Sequence, residues 1–92
     1  MGTSVIMIRV TPEEHDRWFG EHDSAEARAG RLEYGITDGP LYRDVTDPNV
    51  VLVQLEVEDP ERARGWFQDE RFAAAATRAG RVQREIIIGR RG

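Results

Sequence analysis

The sequence predicts an α+β fold: four strands in one antiparallel sheet, with helices packed over one of its faces. Three observations predict it. The stretch 49–57, Asn-Val-Val-Leu-Val-Gln-Leu-Glu-Val, is rich in β-branched residues and bounded by Asp47-Pro48 and Asp59-Pro60. The stretch 4–10, Ser-Val-Ile-Met-Ile-Arg-Val, has the same character. After each of them a proline opens a segment whose apolar residues recur at steps of three and four.

The strand at 49–57 organises the rest. Val51, Val53, Leu55 and Val57 make one wholly apolar face, while Val50, Leu52, Gln54 and Glu56 make a mixed one. In 4–10 the pattern repeats, with Ile6, Ile8 and Val10 against Val5, Met7 and Arg9. Thr11-Pro12-Glu13-Glu14 then predicts a helix start. Thr11 would cap, Pro12 would take the first helical position and Glu14 would complete a capping box worth on the order of 1 kcal/mol. The helix is expected to run from Pro12 towards Ala29 with Gly30 as terminator, its stripe formed by His15, Trp18, His22, Ala25 and Ala29, with Phe19 beside them. Gly20 and Asp23-Ser24 predict a kink or break near 22–24.

Residues 31–39 read as irregular, with Pro40 following, and 41–45 as a short alternating strand. Thr46-Asp47-Pro48-Asn49 is turn chemistry that makes a hairpin into the organising strand. Asp59-Pro60 starts the second helical segment, which carries Ala63, Trp66 and Phe67; Asp69 interrupts and recaps it. Phe72, Ala73, Ala76 and Ala79 continue the stripe, Gly80 stops it, 82–88 is the last strand, and 89–92 reads as a frayed tail. Val82, Arg84, Ile86 and Ile88 share one face of that strand. The order β-α-β-β-α-β is the split βαβ, or ferredoxin-like, pattern, in which the first and third strands lie at the centre of the sheet. The two most apolar strands fall there.

Composition narrows the functions. Ninety-two residues make a single domain, 1–92. A formal net charge of -4, with no basic stripe, argues against a nucleic-acid partner. No stretch is apolar enough to suggest a membrane partner. Every basic residue other than histidine is Arg, a bias of composition. There is no Cys, hence no disulfide, thiolate nucleophile or Cys-held metal. The N-terminus leads directly into a strand, so a cytoplasmic location is the expectation.

The helices cover one sheet face. On the other, Val5, Met7, Val50 and Leu52 would lie bare in a monomer. Covering these four is worth at most about 5–10 kcal/mol per chain, comparable with the whole stability of a small domain. A homodimer through the sheet face is therefore expected.

His22 is the candidate catalytic residue. It lies one turn beyond Trp18 on the apolar stripe, next to the expected break, where it would act as a general base or bond a substrate. A purely structural histidine, bonded to a carbonyl at the helix end, is the other reading. Trp18 and Trp66 are candidate walls of an apolar pocket, or else core. Tyr34 and Tyr42 offer polar tips for a ligand, and Arg43 and Asp44 pair with neighbours across the sheet. No metal is expected: two turns separate His15 from His22, about 10 Å along the axis, beyond the reach of one ion. Gly35 to Gly39 matches no phosphate-cradling pattern.

Several phrases resemble a known group of proteins. Trp18-Phe19 with Glu21-His22-Asp23, Tyr34-Gly35-Ile36-Thr37, Tyr42-Arg43-Asp44 with Asp47-Pro48-Asn49, and Val57-Glu58-Asp59-Pro60-Glu61-Arg62-Ala63 leading into Trp66-Phe67 resemble small members of the dimeric α+β barrel superfamily. That superfamily includes antibiotic biosynthesis monooxygenases, polyketide cyclases and muconolactone isomerase-like enzymes. The resemblance implies two chains pressing their sheets together into a barrel, each with a pocket between sheet and helices. The Asn, Trp and His set of haem-degrading members is not matched in all three residues at the right spacing. Of the contacts used by quinone-forming members, only Trp18 and His22 correspond.

Two functions stand open. One is a dimeric barrel that binds a small apolar or aromatic organic molecule, as a cofactor-free monooxygenase, cyclase or isomerase-like enzyme. His22 would then move a proton, Trp18 and Trp66 would wall the pocket, and Tyr34 or Tyr42 would orient an oxygen. The other is a non-catalytic dimeric ligand-binding or structural module. A solvent-connected cavity beside His22 favours the first, and solid packing there favours the second.

Overall fold

The computed structural model describes residues 4–91. β1 (Ser4–Pro12) is followed by α1 (His15–His22) and α2 (Ala25–Glu33), then by β2 (Ile36–Arg43) and β3 (Val51–Val57). α3 (Pro60–Arg64), a 3₁₀ turn (Gly65–Gln68) and α4 (Glu70–Arg78) lead to β4 (Val82–Arg90). The strand order is β2-β3-β1-β4, and every neighbouring pair is antiparallel. This is the α+β ferredoxin-like fold that the order of hydrophobic periods predicts, with each crossover divided into shorter helices.

Strand alternation builds the core. Ile6, Ile8 and Val10 from β1, with Val51, Val53, Leu55 and Val57 from β3, are buried under the helices, where they meet Trp18, Ala63, Trp66 and Ala79. The opposite face carries the residues in between. Val5, Met7 and Leu52 are half-buried, Arg9 and Glu85 are paired across β1 and β4, and Ile87 is 56% exposed.

Several local expectations are corrected. The capping box at Thr11–Glu14 does not form: β1 continues through Pro12, which pairs with Val82, and α1 starts at His15 after an uncapped Glu14. Nine residue pairs between β1 and β4 outweigh a cap of about 1 kcal/mol, and proline is tolerated at a strand end. The helix does break at 23–24, where the Ser24 hydroxyl accepts from the Ala27 amide at 3.1 Å and caps α2. That restart rephases the stripe: Ala27, Gly30 and Arg31 are buried, whereas Ala25 and Ala29 are exposed.

Gly30 is not the terminator. It lies inside α2 under the Trp66 ring, and Gly35, at φ +71°, ends the helix instead. Of residues 31–39, expected to be irregular, 31–33 belong to α2 and 36–39 to β2, and Val45 lies outside β2, fully exposed. An edge strand admits Pro40 at a bulge between Asp38 and Leu41, and Gly39 lets the Gln54 carbonyl come close. Val50 is not on the open face. Its N–H donates to Asp47 O and its carbonyl accepts from Asp44 N, which folds it into the hairpin loop and leaves it 2% exposed. Nor do Arg43 and Asp44 pair across the sheet. Arg43 donates to the Pro48 carbonyl, and the Asp44 carboxylate accepts from the Thr46 amide, so both brace that loop.

In the second crossover Asp59 and Asp69 cap as expected, and Gly80, at φ +82°, stops α4. Ala73 faces solvent rather than the core. Gly89 and Arg90 continue β4 instead of fraying; Gly92, the end of the expected tail, lies outside the described residues. No helix among the described residues is long and apolar enough to cross a membrane.

Candidate functional site

A cavity of about 60 Å³ lies between the sheet and the helices. Its origin is in the α4 sequence. Ala75, Ala76 and Ala79 line it from α4, and their single methyl groups leave space beside Val10 and Ile86. Ile8, Val53 and Leu55 complete the floor, and Trp18, Trp66, Phe67 and Phe72 form the walls. Four polar side chains reach it: Glu21, His22, Arg31 and Arg84.

His22 is where the helical period puts it, four residues after Trp18, and its ring stacks on that indole at 5.2 Å with 14° between the planes. Burial in this apolar setting, reinforced by the nearby Arg31 guanidinium, lowers its pKa to about 4. The imidazole is therefore neutral at pH 7. Its backbone carbonyl is taken by Arg31 Nη2 at 2.9 Å, while its ring nitrogens make no hydrogen bond among the described residues.

Arg31 is only 4% exposed and grips Asp38 with two bonds, Nε to Oδ1 at 2.8 Å and Nη2 to Oδ2 at 3.2 Å. This fork ties the end of α1 to β2 and fixes the segment that carries His22. Glu21 is engaged by Arg78 at 2.8 Å, which joins α1 to α4. Arg84 faces inward from β4, its guanidinium 5.7 Å from the centre of the Phe72 ring.

The cavity thus brings together His22, Trp18 and Trp66, three of the five residues singled out from sequence. Tyr34 and Tyr42 do not line it. The Tyr34 hydroxyl donates to Asp69 Oδ2 at 2.8 Å, and its ring leans on Trp66 at 6.1 Å, so it anchors the start of α4. Asp69 also accepts from the Arg71 guanidinium and amide, and these bonds hold its carboxyl well below the usual range. Tyr42 pairs with Leu52 on the edge strand, 49% exposed, in a separate open groove of about 350 Å³ with His15, Phe19 and Leu41. Trp18 stands in the wall of both spaces.

Arg31, Arg84 and the Phe67–Phe72 pair were not singled out. For Arg84 a signal existed, since the alternation of 82–88 places it on the apolar face. For Arg31 the signal was the restart at Ser24, which sets a new helical phase.

Among solved structures the chain is similar to one described as "Putative antibiotic biosynthesis monooxygenase from Nitrosomonas europaea". The TM-score is 0.58 at 10% identity, covering 98% of this chain and 91% of that one. The two share the α+β ferredoxin-like fold. A conserved protein from Methanosarcina mazei Go1 is similar as well, with TM-score 0.56 and 12% identity, covering 98% and 94%. No family model matches the chain, and no curated protein matches it in sequence. At these identities the likeness is one of fold, and no residue role travels with it.

Proposed function

We propose that the chain acts as a homodimer joined through the open face of its sheet, and that each protomer binds a small apolar or aromatic organic molecule in the cavity beside His22. The supporting observation is the neutral His22 imidazole on a tryptophan-walled cavity, its ring nitrogens not engaged by the described residues. Cofactor-free oxygenation, cyclisation and isomerisation share a first step, removal of a proton from an activated C–H or O–H. His22 takes that proton. Burial makes the imidazolium costly, and the anion formed beside it on the substrate offsets that cost.

The cavity volume is less than half of the roughly 150 Å³ that holds benzene in an engineered apolar cavity. A ring therefore enters by displacing Phe67 and Phe72, which are only half-buried. The small volume also favours the second reading, a non-catalytic ligand-binding module. On the open face, Val5, Met7, Leu52 and the exposed Ile87 support dimerisation. Three of them are already half-buried, so covering the patch contributes about 3–5 kcal/mol per chain.

Light scattering of purified protein should give twice 10.5 kDa, and Ile87→Glu should shift it towards the monomer. Oxygen uptake with dihydroxynaphthalene substrates tests the chemistry. His22→Ala should abolish turnover while keeping the fold, and an unchanged rate removes the role of His22. A 10.5 kDa species at high concentration removes the dimer.

A further inference from the structure

We propose that Arg84 is the anion-binding residue of the cavity, and that the molecule it receives is an aromatic acid whose carboxylate pairs with the guanidinium. This rests on the cavity being a ligand site, as proposed above, and adds the chemical class of the ligand.

The strand period turns Arg84 inward together with Val82, Ile86 and Ile88, opposite Val10 on β1. It thus sits on a face that is otherwise apolar. The other inward arginine, Arg31, is neutralised by both oxygens of Asp38. Of the surface arginines, Arg17, Arg64 and Arg78 pair with Glu14, Glu61 and Glu21, and those with no carboxylate partner among the described residues, Arg9, Arg43, Arg62, Arg81 and Arg90, are exposed to water. Arg84 has neither a carboxylate partner nor a hydrogen bond among the described residues; its neighbour is the face of Phe72. The chain carries 17 acidic residues against 13 basic ones, so the missing partner does not reflect a shortage of carboxylates.

Withdrawing a guanidinium from water without a counter-ion is unfavourable, and burial pulls its pKa below the usual arginine value. Contact with the Phe72 face leaves the N–H fork unused. A planar fork in an aromatic-walled space suits a planar carboxylate joined to a ring, with the ring against Phe67, Phe72 and Trp66.

Benzoate and benzamide test this, being nearly the same shape with and without charge. Binding is read from the indole N–H signals of Trp18 and Trp66, both in the cavity wall. Wild type should bind benzoate about tenfold more tightly than benzamide, the difference expected when one partner of a hydrogen bond is charged, and salt should weaken benzoate alone. Arg84→Gln should bring benzoate down to the benzamide level and leave benzamide unchanged. Arg84→Lys keeps the charge without the fork and should fall between them, and it serves if Arg84→Gln does not fold. Equal binding of the two probes to wild type, or a preference that survives Arg84→Gln, overturns the assignment of Arg84 while leaving the pocket intact. Absence of saturable binding by either probe overturns both.

Discussion

Lowering the pH from 7 to 4 should cost the protein about 2–3 kcal/mol through His22 alone. In the unfolded chain this imidazole titrates near 6.5; in the fold, burial first and Arg31 second hold it at about 4. At about 1.4 kcal/mol per pKa unit the gap is worth about 3 kcal/mol, trimmed somewhat because the ring is only half-buried. The sign follows from proton uptake. Between 6.5 and 4 the unfolded chain binds a proton that the folded chain refuses, so acid favours unfolding. The stability is complete above pH 6.5, is lost as the pH falls to 4, and is flat below. Arg28 pushes the same way as Arg31, whereas Asp38 and Asp23 push back without reversing the shift. Urea unfolding followed by tryptophan fluorescence at pH 7, 5.5 and 4, at one protein concentration, measures the effect against His22→Gln. The carboxylates titrate in both proteins and cancel in the difference. Wild type should lose 2–3 kcal/mol more than the variant across this range. Parallel curves would refute the buried, neutral imidazole and the base built on it.

Three further variants test the packing around the site. Arg31→Met should destabilise by about 2 kcal/mol, because Asp38 and the His22 carbonyl lose their donor, with Asp38, 39% exposed, recovering part of that from water. The same variant should raise the His22 pKa, visible in an NMR titration of its ring, because a charge that lowers it is gone. Gly30→Ala should lose about 1–2 kcal/mol by thermal unfolding, although alanine is the better helix former. The new Cβ would stand 2.6 Å from Trp66 Cη2, and that ring, 3% exposed, yields only by moving into the cavity it walls. Gly39→Ala should cost about 1–3 kcal/mol, since its Cβ would overlap the Gln54 backbone carbonyl, which cannot yield without opening the β2–β3 ladder; amide exchange at Leu55 should quicken.

Much of the candidate site was legible before the fold was known, because it lies on regular elements. Trp18 and His22 are four residues apart on one helix, so their stacking needs no tertiary information. Trp66 follows from the stripe after Asp59-Pro60. Spacing does not show why the tyrosines stand apart from the cavity of His22. Tyr34 ends α2, where its hydroxyl is claimed by Asp69, thirty-five residues on, and Tyr42 belongs to an edge strand whose bulge sets its position. Arg31 and Asp38 carry no local signal of their pairing, because it exists only once β2 lies beside α2.

The sequence by itself determined the strands, their inward faces, the break at 23–24 and the order that makes a ferredoxin-like sheet, since these depend on alternation and capping within a few residues. Only the tertiary structure decided where β1 ends, what Gly30 is for, and which inward-facing arginine is left without a carboxylate. Those outcomes depend on groups distant in the chain competing for the same bonds and the same space. Nine cross-strand pairs override a local cap at Pro12, and an indole from the second crossover claims the room above Gly30.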